Sequence, residues 1–504
     1  MFFSHNWTKI QLDVFIIKRV IKKEKIMTIK DFKQIKDYLW EIPTSFRSEM
    51  RVPARFYASS KMFSQILNDR SLEQLVNVST LPGIFRYSLA MPDIHEGYGF
   101  PIGGVAAFEI EKGIISPGGV GYDINCGVRL LISKVYQEEI NSYLNLLADE
   151  LQKNVPSGLG RGGKIKLKIG SLERILEGGA KELIEKGYGV KEDLESIESS
   201  GRMEEARAKA VSERAKRRGL DQLGTLGSGN HFLEVQKVEE IYHQEVAEKF
   251  GLKKGLITIM IHTGSRGLGH QVCTDYVRLL DRKRIDWKIK LVDRELVYAP
   301  WQTEEAQRYF QAMAGAANFA WANRQMITYL VRQVWENVLG KKGLKSELKL
   351  LYDVAHNIAK IEEHFNQRLI VHRKGATRAF PAGHSALSDH FKSIGQPVLI
   401  PGSMGTSSYV LIGTDISKES FYSVCHGAGR IMSRREARRK IVGSELRKKL
   451  ERQKVIIRCS SNAGLAEEAP TAYKNVDEVV EVVAKSGLAK KVAKLKPLIV
   501  IKGD

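Results

Sequence analysis

Apolar residues along this chain recur with two different periods, and the switch between them marks out its elements. Between 48 and 135, short apolar runs alternate with Pro and Gly, as in Met91-Pro92-Asp93-Ile94-His95-Glu96-Gly97-Tyr98-Gly99 and Pro101-Ile102-Gly103-Gly104. That alternation predicts strands joined by tight turns. Ile140, Leu144, Leu147 and Leu151 then repeat at helical spacing until Pro156-Ser157-Gly158 ends the pattern, and a charged helical region is predicted over roughly 171–218. The β-branched run Leu256-Ile257-Thr258-Ile259-Met260-Ile261 predicts a buried strand that delivers His262 into Thr263-Gly264-Ser265-Arg266-Gly267. A second strand, Leu348 to Val354, delivers Ala355-His356-Asn357 in the same way. A long helix is predicted over about 303–339, and the small residues from Ala312 to Ala317 at its centre suit close packing in a core. After Cys425-His426-Gly427-Ala428-Gly429-Arg430, the residues Arg434, Arg435, Arg438, Arg439 and Lys440 fall at helical spacing. No linker or repeat interrupts the chain after residue 27. The pattern therefore predicts one large α+β domain over 27–504, with mixed β-sheets surrounded by helices and strand-end histidines brought together.

Composition narrows the class. No apolar run approaches the roughly eighteen residues of a membrane span, so no membrane partner is expected. The net charge of +21 favours an anionic partner, nucleic acid first, although a solvated lysine-rich surface would carry the same charge. Cys126, Cys273, Cys425 and Cys459 are far apart and form no CxxC pair, which fits a reducing cytoplasm better than a disulfide framework. Residues 1–26 hold six Lys/Arg against two Asp/Glu, and their apolar patch Val14-Phe15-Ile16-Ile17 is too short for a signal-peptide core. They read as an N-terminal extension, with Met27 as an alternative start.

Candidate chemistry centres on Pro117-Gly118-Gly119-Val120-Gly121-Tyr122-Asp123-Ile124-Asn125-Cys126-Gly127-Val128, where a carboxylate and a thiol lie three residues apart in a glycine-rich turn. In isolation, such a pair also reads as a buried structural thiol beside a turn aspartate. Four histidines, His231, His262, His356 and His426, each stand beside Gly, Asn or Thr at a turn or a predicted strand end. Thiolate, imidazole and carboxylate together suit a transition metal of borderline softness, and ligand chemistry alone names zinc first. Five ligands exceed the needs of one tetrahedral ion, and a thiolate can bridge, so two ions are possible. His426 differs: the small residues after it leave room for a phosphorus centre, which reads as a nucleophile. A helix-start turn with a basic exposed face is the plainer reading of the same residues.

Six blocks, in order, resemble the RtcB family of RNA-splicing ligases: Asp123-Ile124-Asn125-Cys126-Gly127, Gly227-Ser228-Gly229-Asn230-His231-Phe232, His262-Thr263-Gly264-Ser265-Arg266-Gly267, Asp353-Val354-Ala355-His356-Asn357, the 401–408 turn and His426-Gly427-Ala428-Gly429-Arg430. The likeness runs from about residue 40 to Lys502. It implies a GTP- and manganese-dependent ligase joining RNA ends that carry a 2′,3′-cyclic phosphate or 3′-phosphate to 5′-hydroxyl ends. RNA would be the partner, as tRNA halves or broken RNA, with archease as a possible helper. By the same resemblance, Asp123, Cys126, His231, His262 and His356 would hold two Mn²⁺ ions, with Cys126 bridging, and His426 would carry GMP. GTP contacts would come from Asn230, His231, Phe232, Leu233, Glu234, His356, Asn357, Pro401, Gly402, Ser403, Met404, Ser408, His426, Gly427, Ala428, Gly429, Tyr473 and Lys502. Arg266, Arg430 and Arg434 are candidates for RNA phosphates. Ile94 stands where the family has glycine, and 458–464 departs from the family pattern before Ala466-Glu467-Glu468-Ala469-Pro470 restores it.

Overall fold

The computed structural model describes residues 27–158, 160, 162–459 and 461–503, so the extension predicted at 1–26 lies outside them. Helices and mixed sheets form an α+β fold, as the pattern predicts. One sheet has seven strands, in the spatial order Lys33–Lys36, Leu39–Ile42, Ala54–Tyr57, Ser88–His95, Ile102–Glu109, Gln367–Lys374 and Asn357–His364. Its neighbours are antiparallel except Ala54–Tyr57 beside Ser88–His95, which is parallel. The second sheet runs Lys349–Ala355, Gly127–Tyr136, Leu256–Thr263, Phe232–Ile241, Ala489–Lys502, Ser408–Gly413 and Pro397–Ile400, with Ile456–Cys459 parallel to Ala489–Lys502. A two-stranded ribbon of Ala376–Arg378 and Ser423–Cys425 stands beside them.

The two sheets are joined by a single residue. Lys349–Ala355 ends in the second sheet, His356 follows, and Asn357–His364 begins in the first. Whatever His356 binds therefore sits at the seam of the molecule.

Beneath the seam lies the 35-residue helix Glu304–Val338, capped by Thr303, whose side chain accepts from the Ala306 N–H at 3.3 Å. Ala312 to Ala317 are buried, as predicted, and the helix Ile169–Glu185 packs against this one.

Three sequence expectations change in detail. The stretch 48–135 contains two helices, Ser60–Ile66 and Ser71–Val78, because Leu72, Leu75 and Val76 form a short helical face that the surrounding Pro and Gly conceal. The helix expected from Ile140 to Leu151 breaks at a 3₁₀ turn, Asn141–Tyr143, and resumes over Leu144–Asn154. The charged region 171–218 is α-helical only at its ends, Ile169–Glu185 and Glu213–Gly219, with short 3₁₀ turns between. Between them, Asp193 and Glu198 turn inward to buried ion pairs with Arg332 at 2.6 Å and Lys360 at 2.5 Å, so charge there did not signal a solvated helix face.

Candidate active site

Antiparallel pairing brings strand starts and strand ends to one rim of the second sheet. Gly127, which opens its strand, pairs with Thr263 and Ala355, which close theirs, and Phe232, which opens its own, pairs with His262. The turn at 123–126 is thereby set beside His231, His262 and His356. Backbone bonds tie it down: the Asn125 N–H donates to the Asn357 carbonyl and the His356 N–H to the Cys126 carbonyl, both at 2.7 Å. Arg324 of the long helix fixes the turn from below, donating to the Asn125 and Thr263 carbonyls at 2.9 Å each while pairing with the buried Asp353 at 2.8 Å. Asn323, one residue earlier, donates to the carbonyls of Thr225 and Gly264. Gly264 is required by contact: a Cβ there would lie 2.4 Å from Asp123 Oδ1.

The five expected ligands converge. Cys126 Sγ lies 3.5 Å from His231 Nε2 and 3.3 Å from His262 Nε2, and His231 Nε2 lies 2.8 Å from Asp123 Oδ2. Asp123, Cys126 and His231 form one set of close donor atoms. The His356 ring is 5.6 Å from that of His262, outside this tight set. Both ring nitrogens of His356, and Nδ1 of His262, are buried without a hydrogen-bond partner among the described residues. Buried polar atoms normally find one, so these nitrogens fit a bound cation. Burial pushes the His231, His262 and His356 rings below their ordinary pKa, toward the neutral form that donates lone pairs to metals. It also pushes the Cys126 thiol up, and Asp123 adds to the effect; a divalent cation reverses that balance.

Burial raises the Asp123 carboxyl too, but the His231 ring against it wins and holds it below the usual range. That full depression would need a cationic His231, whereas burial and the Arg266 guanidinium, 3.1 Å from His231 Nδ1, favour a neutral ring. We assign an ionised Asp123 to a neutral His231 that donates from Nε2, a proton that a cation held between the two would displace.

His426 stands at the end of the same series of rings, 5.4 Å from His356. Its Nδ1 is 2.6 Å from Asp93 Oδ2, and its backbone N–H donates to the same oxygen at 3.0 Å. Asp93 thus holds the Nδ1 proton and leaves Nε2 as the free lone pair. Sequence reading passed over Asp93, since its strand block reads only as a strand and turn. The signal that could have found it was a carboxylate between Pro92 and a second histidine. His95, likewise unassigned, stacks 6.5 Å from His426.

A cavity of about 320 Å³ joins these groups. Its walls include Asp123, Cys126, His262, His356 and His426 together with Asn230, Phe232, Asn357, Pro401 to Met404, Gly427 to Gly429, Tyr473 and Lys502 of the expected nucleotide set. Leu233, Glu234 and Ser408 stand behind the wall: Gln236 donates to Glu234 at 2.7 Å and to Ser408 at 3.1 Å, and Ser408 Oγ accepts the Gly402 N–H. Burial raises the Glu234 carboxyl to about 8.

The three arginines separate. Arg266 is turned inward onto His231 and Thr225. Arg430 is held by Glu468, the Tyr473 hydroxyl and the Glu467 carbonyl. Arg434 reaches the cavity with half its side chain exposed, paired to Glu468 at 3.2 Å. Lys374, absent from the expected set, also lines the cavity; burial lowers it to about 7, and it donates to the Tyr98 and Phe100 carbonyls.

Comparison with known proteins agrees with this arrangement. Residues 74–503 match the family described as tRNA-splicing ligase RtcB. The chain is 53% identical over 476 residues to a tRNA-splicing ligase RtcB of Thermococcus kodakarensis, covering 94% of this chain and 98% of the relative. It is 52% identical, with the same coverage, to one of Archaeoglobus fulgidus. An RNA-splicing ligase RtcB of Mycobacterium tuberculosis is 49% identical over 437 residues, 85% of this chain and 100% of that one. Together with the convergence of the six blocks on one cavity, these similarities place the chain in the tRNA-splicing ligase RtcB family.

Proposed function

We propose that this RNA ligase joins RNA 2′,3′-cyclic phosphate or 3′-phosphate ends to 5′-hydroxyl ends, using GTP and manganese, through GMP carried on His426. The observation that carries the reading is His426 itself, its Nδ1 held by Asp93 and its ring facing a cavity walled by an imidazole, thiol and carboxylate set. In the first transfer, His426 Nε2 attacks the α-phosphorus of GTP. A P–N bond forms, and the bond to the β-phosphate oxygen breaks with loss of pyrophosphate. An oxygen of the RNA 3′-phosphate then attacks the same phosphorus, restoring His426 and leaving RNA capped by GMP. The 5′-hydroxyl finally attacks the RNA phosphate, and GMP leaves. A 2′,3′-cyclic end first takes up water to become a 3′-phosphate.

Asp123, Cys126, His231, His262 and His356 would hold two Mn²⁺ ions, whose chemistry when bound is to neutralise phosphate charge and activate oxygen nucleophiles. Asp93 fixes the ring of His426 and stabilises positive charge on it as the P–N bond forms. Glu234, just behind the cavity wall, would accept from guanine N–H groups on giving up the proton that burial holds on it, and Asn230 and Lys502 of the wall would face the phosphates. Of the three arginines, Arg434 is the one this reading gives to the RNA phosphates; Arg266, turned onto His231, and Arg430, held by Glu468 and Tyr473, support the site instead. Splicing of tRNA halves and repair of broken RNA use the same chemistry, in a reducing cytoplasm and with an archease-type helper for turnover.

Incubation with α-³²P-GTP and Mn²⁺, followed by denaturing electrophoresis, tests the reading. An acid-labile labelled band that His426→Ala abolishes while metal content is retained is the expected result. Cyclic-phosphate opening without such a band would leave a metal-dependent phosphodiesterase in place of the ligase.

A further inference from the structure

Between residues 430 and 454, a segment that begins at the cavity wall, the chain carries eleven Lys/Arg against three Asp/Glu. The helices Arg434–Lys440 and Gly443–Arg452 form this segment. They are fixed to the site: Arg434 lines the cavity, and Leu450 packs with Met404 of the cavity wall. On the first helix, the stripe Arg434 and Arg438 turns to Glu468 and Glu467. The helix's own carboxylate, Glu436, is taken by Lys440 at 2.7 Å. The adjacent stripe, Arg435 and Arg439, stays in solvent, and Lys448 and Arg452 repeat that spacing on the second helix. Among the described residues, none of these four has an ion-pair partner. Like charges four residues apart on a helix repel, so each pair weakens its helix unless an anion lies across it.

We infer that Arg435, Arg439, Lys448 and Arg452 form a track for the phosphate backbone of the RNA strand whose end occupies the cavity. Regularly spaced phosphates complement two pairs of exposed cations on helices that both pack against the helix Asn462–Glu467, and Arg434, next to the first pair in sequence, lines the cavity. The inference rests on the RNA-ligase reading and adds a binding surface outside the reaction centre.

The test compares the wild type with a variant carrying Arg435→Glu, Arg439→Glu, Lys448→Glu and Arg452→Glu. Binding of single-stranded, 3′-phosphate-terminated RNA of about 20 and about 4 nucleotides is measured against salt. Loss of four phosphate contacts should lower the slope of log affinity against log salt by about 3 on the longer RNA. Its affinity should fall at least about tenfold at physiological salt, while the short RNA and GMP labelling of His426 change by less than about twofold. Unchanged slope and affinity in a variant that still labels would overturn the track and leave the face to an acidic protein. Should the fourfold variant fail to fold, Arg435→Gln with Arg439→Gln carries the same test, with about half the slope change. A wild type that binds RNA through the track but never labels with GMP would fail the ligase reading alone.

Discussion

At the residue scale, the proposed reaction divides its work between groups that react and groups that hold them. Asp93→Asn keeps the shape beside His426 but presents an amide to Nδ1, favouring the wrong tautomer. GMP labelling should fall on the order of 10²- to 10⁴-fold with metal content unchanged, read from single-turnover labelling and metal analysis. A loss of metal with the label would instead make Asp93 a structural support. Glu234 offers a pH test. Its folded-state value of about 8 lies above the ordinary 4.5, so the fold binds a proton there that the unfolded chain releases. Its contribution is fully present below the unfolded value and is lost as pH rises through about 8. Measured by denaturation between about pH 5 and about pH 9, wild-type stability should decline relative to Glu234→Gln, which cannot ionise. Parallel curves would place the carboxyl in a more solvated setting.

At the scale of elements, the long helix Glu304–Val338 carries more than core packing. Its small-residue centre was legible from Ala312 to Ala317, yet Asn323 and Arg324, nearly two turns further on, hold the turns that present Asp123, Cys126 and His262. A helix interior gives no sequence signal for this, because polar residues there read as an exposed face until the fold buries them. Arg324→Met removes a fully buried partner of Asp353 and the donor that the Asn125 and Thr263 carbonyls share. A stability loss of about 3–5 kcal/mol is expected by denaturant unfolding. Metal affinity should fall with it even though no ligand is altered. An unchanged metal affinity would show that the turn holds its own shape.

For the whole molecule, the ligand cluster joins elements that are far apart in the chain, so a cation bound there should stabilise the fold globally. Free Mn²⁺ at one hundred times its Kd should add about 2.7 kcal/mol per site, seen as a rise in Tm, and Cys126→Ala should abolish it at both positions if the thiolate bridges. A residual single-site rise would separate the two positions. The sequence by itself determined the α+β class, the residue types at 123, 126, 231, 262, 356 and 426, and the strands that deliver His262 and His356, because local period and turn residues are written in neighbouring positions. It also carried the family, through motif order. Only the tertiary structure decided which carboxylate orients His426, which arginines face inward, and that His356 bridges two sheets. Those depend on strand register and on partners tens to hundreds of residues away, as Asp93 is from His426, and register is fixed by the packing of whole faces rather than by any local signal.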